Sequence, residues 1–125
     1  MSMSFGVSAG LPPTVSWTGE AVRIIDQREL PHRLVTLDLR TCEDVAHAIR
    51  DMAVRGAPAI GCTAALGLAL AVRSASRLNG CEAQQTIDHA AKALRASRPT
   101  AVNLFWAVDR VLAAIGGKEG QPAAE

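Results

Sequence analysis

The chain has 125 residues, about the length of one domain, of which 49% are hydrophobic and 20% charged. Thirteen Lys and Arg against twelve Asp and Glu leave a formal charge of +1, so no polybasic surface singles out nucleic acid or an anionic membrane as partner. Aromatic residues make up 3%, with no Tyr, which removes a stacking platform for single strands, and the apolar content excludes disorder for the bulk of the chain.

Residues 1–13 lack the basic and apolar stretches of a signal peptide and are expected to be flexible. From 14 to 40 the pattern predicts a short β meander. Val15 and Trp17 alternate, Thr18-Gly19 supplies a turn, and Val22 and Ile24 flank Arg23. Val35, Leu37 and Leu39 then alternate with Thr36, Asp38 and Arg40. Period two buries one face of each strand. Three strands are the minimum for a small sheet, which must lean on helices.

At Thr41 the period changes. Thr41 followed by Asp44 predicts an N-cap, and Val45, Ile49 and Met52 predict a helix to about Val54. Arg55-Gly56 breaks it. From Gly56 to Val72 no residue is charged. A membrane-spanning helix needs about 20 predominantly apolar residues, and this shorter, Gly- and Ala-rich run from Pro58 to about Ser74 predicts a helix buried on all sides instead. Asn79-Gly80 ends the connection. Ala83, Ile87, Ala90 and Leu94 share the buried face of the next helix, with Gln85, Asp88, Lys92 and Arg95 opposite and Asp88–Lys92 a favourable i,i+4 pair. After Ser97-Arg98-Pro99, the last helix carries Leu104, Val108, Val111 and Ile115 in register, widened by Phe105, Trp106 and Leu112, with Gly116-Gly117 as its stop. Lys118 to Glu125 reads as a linker or frayed tail. There are no internal repeats and no GxGxxG turn. The expected fold is α+β, a small three-stranded antiparallel sheet followed by a four-helix cluster over 14–117.

Two breaks carry the candidate chemistry. Arg55-Gly56-Ala57-Pro58 and Arg98-Pro99-Thr100-Ala101 each set an arginine before a proline-initiated helix. Proline at a helix start gives up only a donor that would be free, and the following N–H groups have no intrahelical acceptor. At the first break the expected cap, Ala57, has no side-chain oxygen, and Gly56 lets another molecule approach the backbone. Bare donors, a helix dipole and a guanidinium fork suit a phosphate or carboxylate. The alternative is that Arg55 and Arg98 stabilise the carbonyl ends of the preceding helices, worth about 0.3–1 kcal/mol. The other candidates are plainer. His32, His47 and His89 stand alone and are expected on the surface or in packing. Asp26 and Asp38 lack a partner carboxylate. Cys42, Cys62 and Cys81 form neither a disulfide framework nor a zinc pattern and are expected to be reduced, mostly buried thiols of a cytoplasmic protein.

IRDMAVRGAPAIG (Ile49 to Gly61), RPTAVNLFWAVDR (Arg98 to Arg110) and IIDQRELPH (Ile24 to His32) together resemble the methylthioribose-1-phosphate isomerase family, over nearly the whole of 15–115. Ribose-1,5-bisphosphate isomerases and the regulatory subunits of the exchange factor for translation initiation factor two share that family. The resemblance implies conversion of methylthioribose 1-phosphate, a phosphorylated pentose, to methylthioribulose 1-phosphate in methionine salvage, without metal or organic cofactor. It implies substrate contacts at Arg55, Gly56, Ala57 and Arg98. Family members are two to three times longer and add a Rossmann-like domain that holds the catalytic cysteine and aspartate. No catalytic residue is therefore assigned to this chain, which corresponds to an amino-terminal half expected to be inactive alone, with a homodimer expected for the full-length protein.

Overall fold

A computed structural model describes residues 4–5 and 13–116; the tail from Lys118 and most of the stretch 1–13 lie outside the described residues. Four strands run as an antiparallel meander in chain order: β1 (Ser4–Phe5), β2 (Val15–Trp17), β3 (Val22–Ile25) and β4 (Thr36–Leu39). The last three are the expected strands. The two-residue β1, paired through Ser4–Ser16 and Phe5–Val15, adds an edge within the stretch expected to be flexible, because two residues are too few to display a period. Val22 faces Leu39 and Ile24 faces Leu37 across β3 and β4, and Val15, Val22 and Ile24 are buried. On the opposite side Arg23 donates to both carboxylate oxygens of its cross-strand partner Asp38, at 2.7 and 3.1 Å. That exposed pair contributes little energy, but it reports the register.

Four helices follow: α1 (Cys42–Arg50), α2 (Ala57–Ala75), α3 (Gly80–Ser97) and α4 (Val102–Gly116). Thr41 caps α1 as expected, its hydroxyl accepting from the Asp44 amide at 3.0 Å. The helix nevertheless stops at Arg50, before the predicted end at Val54. The Met52 amide donates to the Ile49 carbonyl (3.2 Å) and the Ala53 amide to the Ala48 carbonyl (2.9 Å), with Met52 at φ 66°. These are the two bonds of a Schellman ending, with methionine where glycine usually sits. Met52 is consequently 44% exposed rather than the third residue of an apolar stripe, while Ala53 and Val54 turn inward.

Helix α2 is the centre of the fold. It is long and apolar enough to cross a membrane, and the expected burial on all sides fails along one face, where Pro58, Ala69 and Arg73 are exposed and Cys62 and Ala65 half-buried at helical spacing, while α1, α3, α4 and strands β2 and β3 pack around the rest. Small residues permit this. A Cβ on Gly67 would lie 2.7 Å from a methyl of Val45, so α1 crosses α2 closely there. Arg73, in the last turn, donates to the Gly19 carbonyl at 3.0 Å and ties α2 to the β2–β3 turn.

Helix α3 opens on Asn79, whose side chain accepts from the Glu82 amide at 2.9 Å. Ile87, Ala90 and Leu94 are buried as the period predicts. Asp88 is engaged by Gln84 (2.9 Å) rather than by Lys92. In α4, Leu104 and Val108 are fully buried, but Trp106 is 62% exposed and Ile115 also faces outward. Trp106 stands two residues, about 200°, from Leu104, and therefore lies on the opposite flank rather than widening the stripe. The thiols divide: Cys42 is buried, Cys62 half-buried and Cys81 exposed, so the expectation of mostly buried cysteines does not extend to Cys81, at the second position of α3.

Candidate functional site

Helix α2 begins at Ala57, one residue earlier than the proline suggested, with Gly56 as its N-cap at φ 92°, ψ 131° and no side-chain capping bond. The cap thus moves from Ala57 to Gly56, and the chemical consequence is unchanged: neither residue brings an oxygen. The Gly56 carbonyl accepts from Ile60 at 2.9 Å. The amides of Ala57 and Ala59 are left without an intrahelical acceptor, and Pro58 has no amide to satisfy.

The second break is built differently from the sequence expectation. Pro99 does not start a helix. A residue before proline is kept out of the helical region, so α3 ends at Ser97 with Arg98 as its C-cap at φ −145°, ψ 82°. The Ala101 amide then donates back to the Arg98 carbonyl at 3.0 Å, closing a tight turn with Pro99 at the position that proline favours. Helix α4 starts at Val102, and the Ala101 carbonyl accepts from Leu104 and Phe105. Ala101, like Gly56, has no side-chain oxygen.

The two helix starts lie together. A Cβ on Gly61, in the fifth position of α2, would sit 3.2 Å from the carbonyl oxygen of Asn103, in the second position of α4. Helix α3 carries the chain back from the end of α2, so α4 runs alongside α2 in the same direction and both positive dipole ends fall at one end of the bundle. Arg55 leads into the first and Arg98 into the second. Arg55 is exposed and Arg98 half-buried. Among the described residues neither guanidinium donates to a carbonyl or pairs with a carboxylate. The end of α1 is closed by the amides of Asp51, Met52 and Ala53 instead.

Beside these starts, α2 and α4 border a groove of about 310 Å³ that includes Pro58, Gly61, Asn103, Trp106 and Arg110. The Arg110 guanidinium lies 4.7 Å over the Trp106 ring. A larger cavity, about 510 Å³, lies between α1, α3 and the far half of α2, near Cys42, Leu70, Ser74 and His89, and includes neither Arg55 nor Arg98.

Sequence reasoning missed one group. Asp26, just after β3, is 3% exposed, and both of its oxygens accept from Arg28, at 2.9 Å each, with the Arg28 amide at 3.0 Å. The Arg28 side-chain bonds hold the Asp26 carboxyl below the usual carboxylate range, against the burial that pushes it up. Looking for a partner carboxylate hid this pair. The available signal was Asp-x-Arg at a strand end, where aspartate bonds the amide two residues on. The Gln27 amide donates to the Ala53 carbonyl at 2.9 Å, so this turn touches the segment leading to Arg55.

The remaining candidates are inert or apart. Burial, with a smaller contribution from Glu43, pushes the Cys42 thiol up to about 12, and burial raises Cys62 as well, which disfavours either as a thiolate nucleophile at neutral pH. His32, His47 and His89 are exposed. Among the described residues no three His, Cys, Asp or Glu side chains gather as a metal site.

Comparison with known proteins gives a consistent picture. Residues 53–124 match the Initiation factor 2 subunit family. The chain is 47% identical over 109 residues to the methylthioribose-1-phosphate isomerase of Aquifex aeolicus, covering 87% of this chain and 22% of that protein. It is 50% identical over 106 residues to the enzyme of the same name from Synechococcus sp. strain CC9605, covering 85% and 29%. Among solved structures, 5-methylthioribose 1-phosphate isomerase from Pyrococcus horikoshii superposes with a TM-score of 0.81 at 38% identity, over 91% of this chain and 32% of that one. The delta subunit of translation initiation factor eIF-2B from A. fulgidus gives 0.73 at 39%, over 84% and 31%. The chain therefore spans less than a third of the length of each of these proteins.

Proposed function

This chain belongs to the Initiation factor 2 subunit family, and from that premise we propose that residues 14–117 are the substrate-clamping part of a sugar-phosphate aldose–ketose isomerase that converts methylthioribose 1-phosphate to methylthioribulose 1-phosphate. The observation that carries this reading is the pair of uncapped helix starts, α2 behind Arg55 and α4 behind Arg98, held together at Gly61 and Asn103. The identity to isomerases from Aquifex and Synechococcus supports the substrate.

Arg55, Arg98 and the amides around Gly56 and Ala57 bind the phosphate ester. The phosphate is attached to C1, one of the two carbons between which hydrogen moves in such an isomerisation, so a fixed phosphate fixes the reaction centre. The groups that open the ring and move the hydrogen lie outside these residues, and the chain alone is inactive. The reaction needs neither metal nor organic cofactor, the protein works in the cytoplasm, and the full-length enzyme is a homodimer.

Titration of the 125-residue chain with methylthioribose 1-phosphate and with ribose 1,5-bisphosphate, followed by amide NMR, tests the reading. The amides of Gly56 and Ala57 are expected to shift, more tightly with the first sugar. Arg55→Ala is expected to weaken binding about ten- to a hundredfold, since a hydrogen bond to a charged group contributes roughly 1.5–3 kcal/mol. Unmoved amides, or an Arg55→Ala chain that binds as well as the parent, would refute it. A second reading, a non-catalytic assembly module, is favoured by the likeness to the A. fulgidus delta subunit and requires that neither sugar bind.

A further inference from the structure

Arg55 and Gly56 project from the fold with little of their own to hold them. Both are exposed, and the space where a Gly56 Cβ would stand has no atom within 4 Å. Their placement is therefore set by what flanks them. On one side is helix α2. On the other is Ala53–Val54, both essentially fully buried. Ala53 is gripped at each end of its own residue: its amide donates to the Ala48 carbonyl and its carbonyl accepts from the Gln27 amide, each at 2.9 Å.

The Gln27 amide is presented by a turn that Asp26 closes. The Asp26 carboxylate accepts from the Arg28 amide and from Nε and one terminal nitrogen of its guanidinium, the Asp26 carbonyl accepts from the Glu29 amide at 3.2 Å, and the Asp26 amide donates to the Val35 carbonyl at 2.8 Å. Asp26 is the one buried carboxylate among the described residues, and it has no part in the anion clamp itself.

We propose that Asp26 is a positioning residue: by closing the 26–29 turn it fixes the Gln27–Ala53 bond, and with it the placement of Arg55 and Gly56 toward an anion. The inference rests on reading that segment as an anion site. Its electrostatic sign makes it separable from a charge effect. A carboxylate near an anion site repels the anion, so its removal would strengthen binding if charge were all it contributed. Positioning demands the reverse.

The experiment uses the isotope-labelled 125-residue chain, inorganic phosphate as probe, and Asp26→Ala, Asp26→Asn and Arg55→Ala. In Asp26→Ala the Gly56 and Ala57 amide resonances are expected to move before any phosphate is added, and phosphate affinity to fall roughly tenfold, as for other small displacements of a binding group. Asp26→Asn keeps an oxygen for the Arg28 amide and is expected to restore most of that affinity. Should Asp26→Ala fail to fold, Arg28→Ala, which removes both guanidinium bonds to Asp26, takes its place with the phosphate-free resonances as its readout, because losing that cation would weaken phosphate binding by charge alone. Unmoved Gly56 and Ala57 resonances, or affinity that stays level or rises, overturn the proposal. If the parent chain binds no phosphate, or Arg55→Ala binds it unchanged, the anion-site reading falls instead, and the phosphate-free resonances still decide whether Asp26 places the turn.

Discussion

Gly61 and the backbone carbonyl of Asn103 meet where the first turns of α2 and α4 come together, at a separation that leaves 3.2 Å between a hypothetical Cβ and that oxygen. The contact is backbone against backbone, so nothing flexible can give way. It is the join that sets two unrelated helix starts, forty-five positions apart in the chain, side by side.

Gly61→Ala is accordingly expected to push α4 off α2. Overpacking of this kind costs about 1–3 kcal/mol, to be read as a lowered midpoint in urea unfolding with unchanged slope. The same variant is expected to blunt the phosphate-induced shifts at Gly56 and Ala57. An alanine chain of parental stability would mean that the helices do not touch there.

Gly56→Ala strikes the backbone rather than the packing. At φ 92° an L side chain is strained even though the surrounding space is open. A loss of about 1–3 kcal/mol is expected, measured by denaturant unfolding, without the core rearrangement that would accompany Gly61→Ala.

Met52→Gly runs the other way. Methionine holds a left-handed position that costs an L residue roughly 1–2 kcal/mol, and it is exposed, with little packing to lose. Glycine relieves that strain at about 0.5–1 kcal/mol of chain entropy. A gain of up to about 1 kcal/mol is expected, visible as a higher thermal midpoint.

The three thiols are expected to react in order of access. Under native conditions a disulfide reagent should label Cys81 first and Cys62 slowly. Cys42, buried and raised to about 12, should stay unlabelled until the chain unfolds. Rapid loss of all three thiols would contradict the packing of α1 against α3.

Much of this was written into the periodicity. Alternation at Val22, Ile24, Leu37 and Leu39 and the 3.6-residue spacing of Ile87, Ala90 and Leu94 each specify a buried face locally, and the elements formed there. What stayed hidden depended on partners distant in sequence. The apolar stripe overran the end of α1 because Met52 adopts a conformation that its side chain does not announce. Pro99 looked like a helix start because the turn from Arg98 to Ala101 has no pattern of its own. Of the candidate site, Arg55, Gly56 and Arg98 were legible from local chemistry; the contact of Gly61 with Asn103 and the burial of Asp26 are tertiary facts.

The central place of α2 also has a consequence for how the protein is made. An uncharged stretch, complete by residue 72, emerges from the ribosome about thirty residues before α4, the last helix to cover it. For those few seconds of synthesis, at roughly 5–20 residues per second, the growing polypeptide displays a greasy rod with one flank bare. Chains halted in that interval are the ones that chaperones and proteases should find first.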